Sequence, residues 1–115
     1  MFNIKRPEKI SVKVSVKVPG VREPQKFTGH FVYLDMEERR AFVERISEEH
    51  GAGFTDVQVM KELLIDWEGV NQSDGAPLEH SDTAIETLMN IPYVCEALRS
   101  VLMSDVLSGV IARKN

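Results

Sequence analysis

The strict alternation of residues 10–18 is the sequence feature that most constrains the fold. Valine or isoleucine occupies every even position, and serine or lysine occupies every odd position. Only an extended strand places every second side chain on one side, so this stretch predicts a β-strand with one apolar and one polar face. The polar face indicates that one side of the resulting sheet meets water.

A second strand is predicted directly after the first. Pro19-Gly20 marks a turn, and Pro24 closes the connection. Residues 25–34 then form another extended stretch, in which Phe27 and Phe31 are β-favouring aromatic residues. Two neighbouring strands with a short polar connection predict an antiparallel β-hairpin.

Helices are predicted after the hairpin, because the spacing of apolar residues changes from two to about 3.6. The first helix begins after Asp35, with Glu38 at the capping-box position, and ends at Gly51. The second begins at Thr55 and continues until Gly69. Its apolar positions at helical spacing are Val57, Met60, Leu63, Leu64 and Trp67.

Two more helices are predicted in the last third of the chain. Residues 71–77 have the composition of a loop, and either Ser81 or Thr83 caps the third helix. Pro92 fits a first helical turn, so the fourth helix begins there and runs toward Ala112. The sequence therefore predicts an α+β fold, with an N-terminal antiparallel β-hairpin followed by about four α-helices.

The last predicted helix carries two apolar stripes on opposite sides. One consists of Val94, Ala97, Leu98 and Val101, and the other consists of Met103, Val106, Leu107 and Val110. A straight surface helix cannot bury both stripes in its own core. Either the helix breaks near Ser104-Asp105, or the second stripe packs on a partner.

Length and charge predict a single domain with two unlike parts. The chain has 115 residues and a net charge of −4, which fits one domain spanning 1–115. Residues 1–34 form a basic hairpin with net charge +5, and residues 35–115 form an acidic helical part with net charge −9. An acidic protein is a poor general nucleic-acid binder, so a nucleic-acid regulator is the least favoured binding class. Its contacts would be Lys13, Lys17, Arg22 and Lys26.

The residue pattern gives no support for catalysis, a cofactor or a metal site. The three histidines, His30, His50 and His80, lack metal-ligand spacing, and no phosphate-binding loop or nucleophile motif occurs. The single cysteine, Cys95, excludes an intramolecular disulfide and is interpreted as a packed thiol. We expect no membrane span and no secretory signal, hence a cytoplasmic protein.

Several short motifs together resemble the tail assembly chaperones of long-tailed bacteriophages and prophages. The most specific is W-x-G-V over 67–70, followed by D-G-x-P-L over 74–78. Ser81, the stretch 91–94, the opening 2–7 and the alternating valine strand extend the similarity over most of the chain. Where relatives often have an aromatic residue before the serine, this chain has His80.

The resemblance implies a non-enzymatic chaperone that acts while a phage tail is built. Such proteins bind the long, hydrophobic, helical tape measure protein, keep it soluble and recruit tail tube protein around it. They work in the host cytoplasm and are absent from the mature virion. We also expect this chain to self-associate. A structural tail or connector subunit is the alternative.

The second stripe of the last helix is the candidate protein-binding site of such a chaperone. It comprises Met103, Val106, Leu107 and Val110, which would bind an apolar helix if they are exposed. The alternative is that these residues pack against the protein's own helices. Trp67, Tyr93 and the valine face of the first strand are predicted to belong to the core.

Overall fold

The computed structural model describes residues 1–51 and 56–110, which form three strands, four α-helices and one π-helical segment. This arrangement confirms the predicted α+β class and the N-terminal hairpin. The elements in chain order are β1 (Lys9–Val16), β2 (Gln25–Val32), α1 (Met36–His50), α2 (Asp56–Leu63), β3 (Leu64–Glu68), α3 (Asp82–Met89), α4 (Pro92–Val101) and the π segment (Leu102–Val106).

The three strands form one antiparallel sheet in the order β1-β2-β3. The hairpin pairs Lys9 with Val32 at one end and Val16 with Gln25 at the other. Gly20 in the connection has φ +82°, a left-handed conformation that glycine adopts without strain. The predicted turn between the two strands is therefore present.

The prediction that a single helix continues to Gly69 is wrong, because α2 ends at Leu63 and β3 follows it. Leu64 and Trp67 are three residues apart, which matches helical spacing, yet both are buried in a strand. A β-bulge explains this: Leu64 pairs with Phe31 and Asp66 pairs with His30, so Ile65 is the extra residue. Because of the bulge, the side chains of Leu64 and Trp67 face the same side of the sheet although they are three residues apart.

Residues 71–77 form a loop, as their composition predicted, and this loop folds back at the end of β3. Asn71 bridges to Pro77, and the Leu78 N–H donates to the Val70 carbonyl at 2.9 Å. Gly75 has φ +91° at the tip. These contacts place residues 78–80 beside β3.

The helices cover one face of the sheet, and the core lies between them. Val14, Val16, Phe27, Phe31 and Trp67 are buried on this inner face. The prediction that Trp67 belongs to the core is confirmed, and Val14 and Val16 of the valine face are buried with it. Val12, Val18 and Tyr93 are half-buried against that core. The alternate side chains of β1 point to the outer face and are exposed.

Local sequence signals account for the starts of α1, α3 and α4. Asp35 and Glu38 form the predicted capping box of α1, with the Glu38 N–H 2.8 Å from Asp35 Oδ1. Of the two candidate caps for α3, Ser81 accepts the hydrogen bond from the Ala84 N–H. Pro92 occupies the first turn of α4. The predicted start of the second helix at Thr55 lies outside the described residues.

The predicted fourth helix does not run unbroken toward Ala112. Its α-helical part ends at Val101, and the π segment follows, with the Leu107 N–H bonded to the Leu102 carbonyl at 2.8 Å. A bond of this i to i+5 type widens the turn and changes which side later residues face. Of the two alternatives for this helix, the structure has the break, a few residues earlier than Ser104. Within the described part of the chain, no helix is long and apolar enough to cross a membrane.

Candidate protein-binding surfaces

The proposed binding stripe on the last helix is largely inside the protein. Val106 and Leu107 are 0% and 2% exposed, so for these two residues the structure has the alternative in which they pack against the protein's own core. The π segment is the reason, since its wider turn carries them onto the core. Met103 remains 43% exposed, and Val110 is half-buried. The structure thus separates the four residues instead of presenting them together.

Arg39 fixes the chain after the π segment against the start of α1. Its Nη1 donates to both the carbonyl oxygen and the Oγ of Ser108 at 3.0 Å, and its Nε donates to the Leu34 carbonyl at 2.7 Å. Gly109 follows with φ +86°, and a side chain at this position would come within 3.0 Å of the Met36 methyl group. These contacts hold Val106 and Leu107 in their buried positions.

The largest exposed apolar side chains belong to the first residues of the chain, which we call the N-terminal arm (residues 1–6). Met1, Phe2 and Ile4 are 116%, 85% and 94% exposed. Exposed apolar residues that occur together mark binding surfaces more often than single ones do. The arm is therefore the strongest candidate for contact with an apolar partner.

Arg6 attaches the arm to the body of the protein. Its guanidinium donates to the Tyr33 carbonyl at 3.2 Å, lies 2.8 Å from Glu38 Oε1 and 3.6 Å from Asp35 Oδ2, and sits over the Tyr33 ring. The pKa of Glu38 is lowered, first by the hydrogen bond from the Asp35 N–H and then by Arg6. The pKa of Arg6 is raised, mainly by its hydrogen bond with Glu38. The arm thus leaves the body at the start of α1.

Met36 adds a further apolar side chain at that corner. It lies between Asp35 and Glu38 in the chain, both of which contact Arg6, and it is 41% exposed. We call the arm together with Met36 the arm corner. The sequence analysis did not identify the arm corner, because the exposed residues of the arm show no periodic spacing of apolar positions. The only available sign was two large apolar residues, Phe2 and Ile4, ahead of Pro7.

A hydrogen-bonded histidine joins the three strands on the outer face of the sheet. His30 is 6% exposed; its Nδ1 lies 2.8 Å from Ser11 Oγ, and its Nε2 lies 2.6 Å from Glu68 Oε2. Serine, histidine and a carboxylate are also the residue types of a hydrolytic triad. Here the Glu68 side chain is 73% exposed, unlike the buried carboxylate that orients a catalytic histidine. The arrangement therefore supports a cross-strand link rather than an activated serine.

The other chemically versatile residues have structural contacts. His80 Nε2 lies 2.7 Å from the Leu64 carbonyl, and its ring meets Trp67 edge-on at 4.9 Å. Cys95 is half-buried, with Arg99 3.7 Å from its sulfur. Among residues 1–51 and 56–110, no group of three His, Cys, Asp or Glu side chains is arranged to hold a metal ion.

The basic residues that a nucleic-acid-binding protein would use share their side of the sheet with carboxylates. Lys13 and Lys26 stand on the outer face of the sheet, and Lys17 and Arg22 lie in the hairpin connection. All four are exposed. Asp66 and Glu68 share that sheet face on β3, so any polyanion laid along it also meets carboxylates.

Comparisons with models of known protein families, with curated proteins and with solved structures found no match to this chain.

Proposed function

We propose that this protein is a non-enzymatic tail assembly chaperone of a long-tailed phage or prophage, and that it binds the tape measure protein through the arm corner. The observation that carries the proposal is the near-complete exposure of Met1, Phe2 and Ile4 beside a charged anchor. The resemblance of the 67–78 motifs and of the opening residues to that family supplies the identity of the partner.

The arm corner has the chemistry that a chaperone of an apolar helix needs. Its exposed side chains are large and apolar, and methionine adapts its shape to different neighbours. Lys5 and Arg6 within the arm keep it compatible with water while it is unbound. An apolar helix that buries its stripe against such side chains is protected from aggregation.

The arm corner replaces the last helix as the proposed binding surface. Val106 and Leu107 would have to leave the core to reach a partner, which would cost several kcal/mol for two buried aliphatic residues. Met103 and Val110, in contrast, keep part of their surface accessible. They extend the proposed surface only if the partner reaches beyond α1.

The remaining features of the proposal follow from the family resemblance. The chaperone recruits tail tube protein around the tape measure protein, acts in the cytoplasm of the host bacterium and is absent from finished virions. A structural tail or connector subunit of a virion is the alternative, and it differs in persisting in the particle.

Co-expression with the tape measure protein of the same genome tests the proposal. We expect the tape measure protein to be soluble and to co-purify with this chain, and to aggregate when expressed alone. Purified phage particles should contain none of this chain. If the tape measure protein aggregates regardless and the chain is found in particles, the chaperone proposal is wrong and the structural-subunit alternative holds.

A further inference from the structure

The exposed outer face of the sheet has a basic side and an acidic side. Lys9 and Lys13 stand on β1, whereas Asp66 and Glu68 stand on β3, and all four are exposed. Strand β2 lies between the two charged columns. The charges are therefore ordered across the strands and not scattered over the face.

The strand register aligns these charges in rows. Lys13 pairs with Thr28 and Thr28 pairs with Glu68, so that the three residues form one row across the sheet. Neighbouring strands are about 4.8 Å apart, which puts Lys13 and Glu68 at equal distances on either side of β2. A face of this kind is complementary to a copy of itself turned by 180°.

We propose that this outer face binds a second copy of the chain, through a two-fold axis that runs parallel to β2. The axis lays β1 of one copy over β3 of the other with no shift along the strands. Because Lys13 and Glu68 share a row, each Lys13 faces Glu68 of the second copy, and two equivalent ion pairs form. Two-fold dimers with self-complementary patches are the commonest oligomers of soluble proteins.

The side chains have the length and the freedom that this packing needs. Face-to-face sheets lie about 10 Å apart, a gap that extended lysine and glutamate side chains bridge together. No carboxylate among the described residues lies within ion-pair distance of Lys13. Glu68 uses Oε2 toward His30, which leaves Oε1 for a second donor.

The size of the outer face sets the affinity that we expect for the dimer. Three strands and four rows of paired residues cover roughly 200 Å² per copy, well below the roughly 800 Å² per partner of a standard interface. We therefore expect a weak dimer that dissociates as salt screens the ion pairs. The inference does not depend on the proposed chaperone role.

Lys26 provides a matched control for Lys13. It stands on β2, next to the axis, so it meets Lys26 of the second copy and repels it. Lys13→Gln and Lys26→Gln change the net charge by the same amount. The proposal nevertheless predicts opposite effects, because the first removes two attractive pairs and the second removes a repulsive one.

Sedimentation velocity of the full chain at 50 and 300 mM salt, at concentrations up to 1 mM, measures the effect. We expect dimer at low salt and less at high salt, dimerisation weakened about tenfold by Lys13→Gln, and dimerisation strengthened by Lys26→Gln. Lys13→Glu should abolish the dimer, and Lys13→Glu with Glu68→Lys should restore it. Thermal melts show that each variant is folded.

Two results would overturn the proposal. One is a wild-type chain that stays monomeric at 1 mM in 50 mM salt. The other is a dimer that both glutamine variants weaken alike. If the double variant fails to fold because Glu68 is lost from His30, the comparison of Lys13→Gln with Lys26→Gln still decides. An oligonucleotide titrated in a separate experiment should not bind the protein. Salt-sensitive binding that both glutamine variants reduce would assign the outer face to nucleic acid.

Discussion

The indole Nε1 of Trp67 donates a hydrogen bond to the carbonyl oxygen of Leu78 at 2.8 Å. These two residues begin and end the most specific of the motifs that carry the family resemblance. The Leu78 N–H bonds in turn to Val70, and Asp74 Oδ1 accepts the Ala76 N–H inside the loop. The motif spacing is therefore explained by loop closure against β3, and it marks a fold rather than a binding site.

Replacing Trp67 with phenylalanine should loosen this closure. The phenyl ring keeps most of the buried apolar surface but cannot donate to Leu78, so we expect a loss of about 1–2 kcal/mol in the free energy of unfolding. Urea unfolding followed by far-UV circular dichroism measures it. Ile65→Val on the same strand is the matched control and should change stability little, because Ile65 is 45% exposed. Wild-type stability of the Trp67 variant would contradict the role of the hydrogen bond.

Aspartate substitutions in the last helix distinguish core from surface. Val106→Asp buries a carboxylate at a position that is 0% exposed, so we expect a loss of more than about 3 kcal/mol or an unfolded chain. Met103→Asp, four tenths exposed, should stay within about 0.5 kcal/mol of the wild type. Thermal denaturation measures both. Similar stability of the two variants would show that Val106 is accessible in solution.

Because of the capping box and Arg6, the free energy of unfolding should decrease as the solution becomes acidic. The pKa of Glu38 is lowered in the folded state, so its ionised form stabilises the fold above its ordinary pKa of 4.5. That contribution disappears as the pH falls from about 4.5 through the lowered pKa. Glu38→Gln should therefore flatten the decline of stability below pH 4.5. Parallel curves for the variant and the wild type, from urea titrations between pH 3 and 7, would contradict this assignment.

Features with local causes could be predicted from the sequence. The alternation of 10–18 predicts β1, and Asp35 with Glu38 predicts the start of α1, because each depends on residues close in the chain. β3 was missed since its bulge gives Leu64 and Trp67 a helical spacing. The burial of Val106 was left undecided because a π turn has no sequence period of its own. The exposure of the arm depends on what the rest of the fold leaves uncovered.

Variants of the N-terminal arm test most directly the proposal that the arm corner binds the tape measure protein. Phe2→Ser with Ile4→Ser removes the apolar surface of the arm and leaves Arg6 and its contacts in place. Val21→Ser is the control, since Val21 is also exposed, at 45%, but lies in the hairpin connection. Each variant is co-expressed with the tape measure protein of the same genome, and the soluble fraction of that protein is measured. The account predicts that the double variant loses most of the soluble complex while Val21→Ser keeps it, and an undiminished soluble fraction with the folded double variant would contradict it.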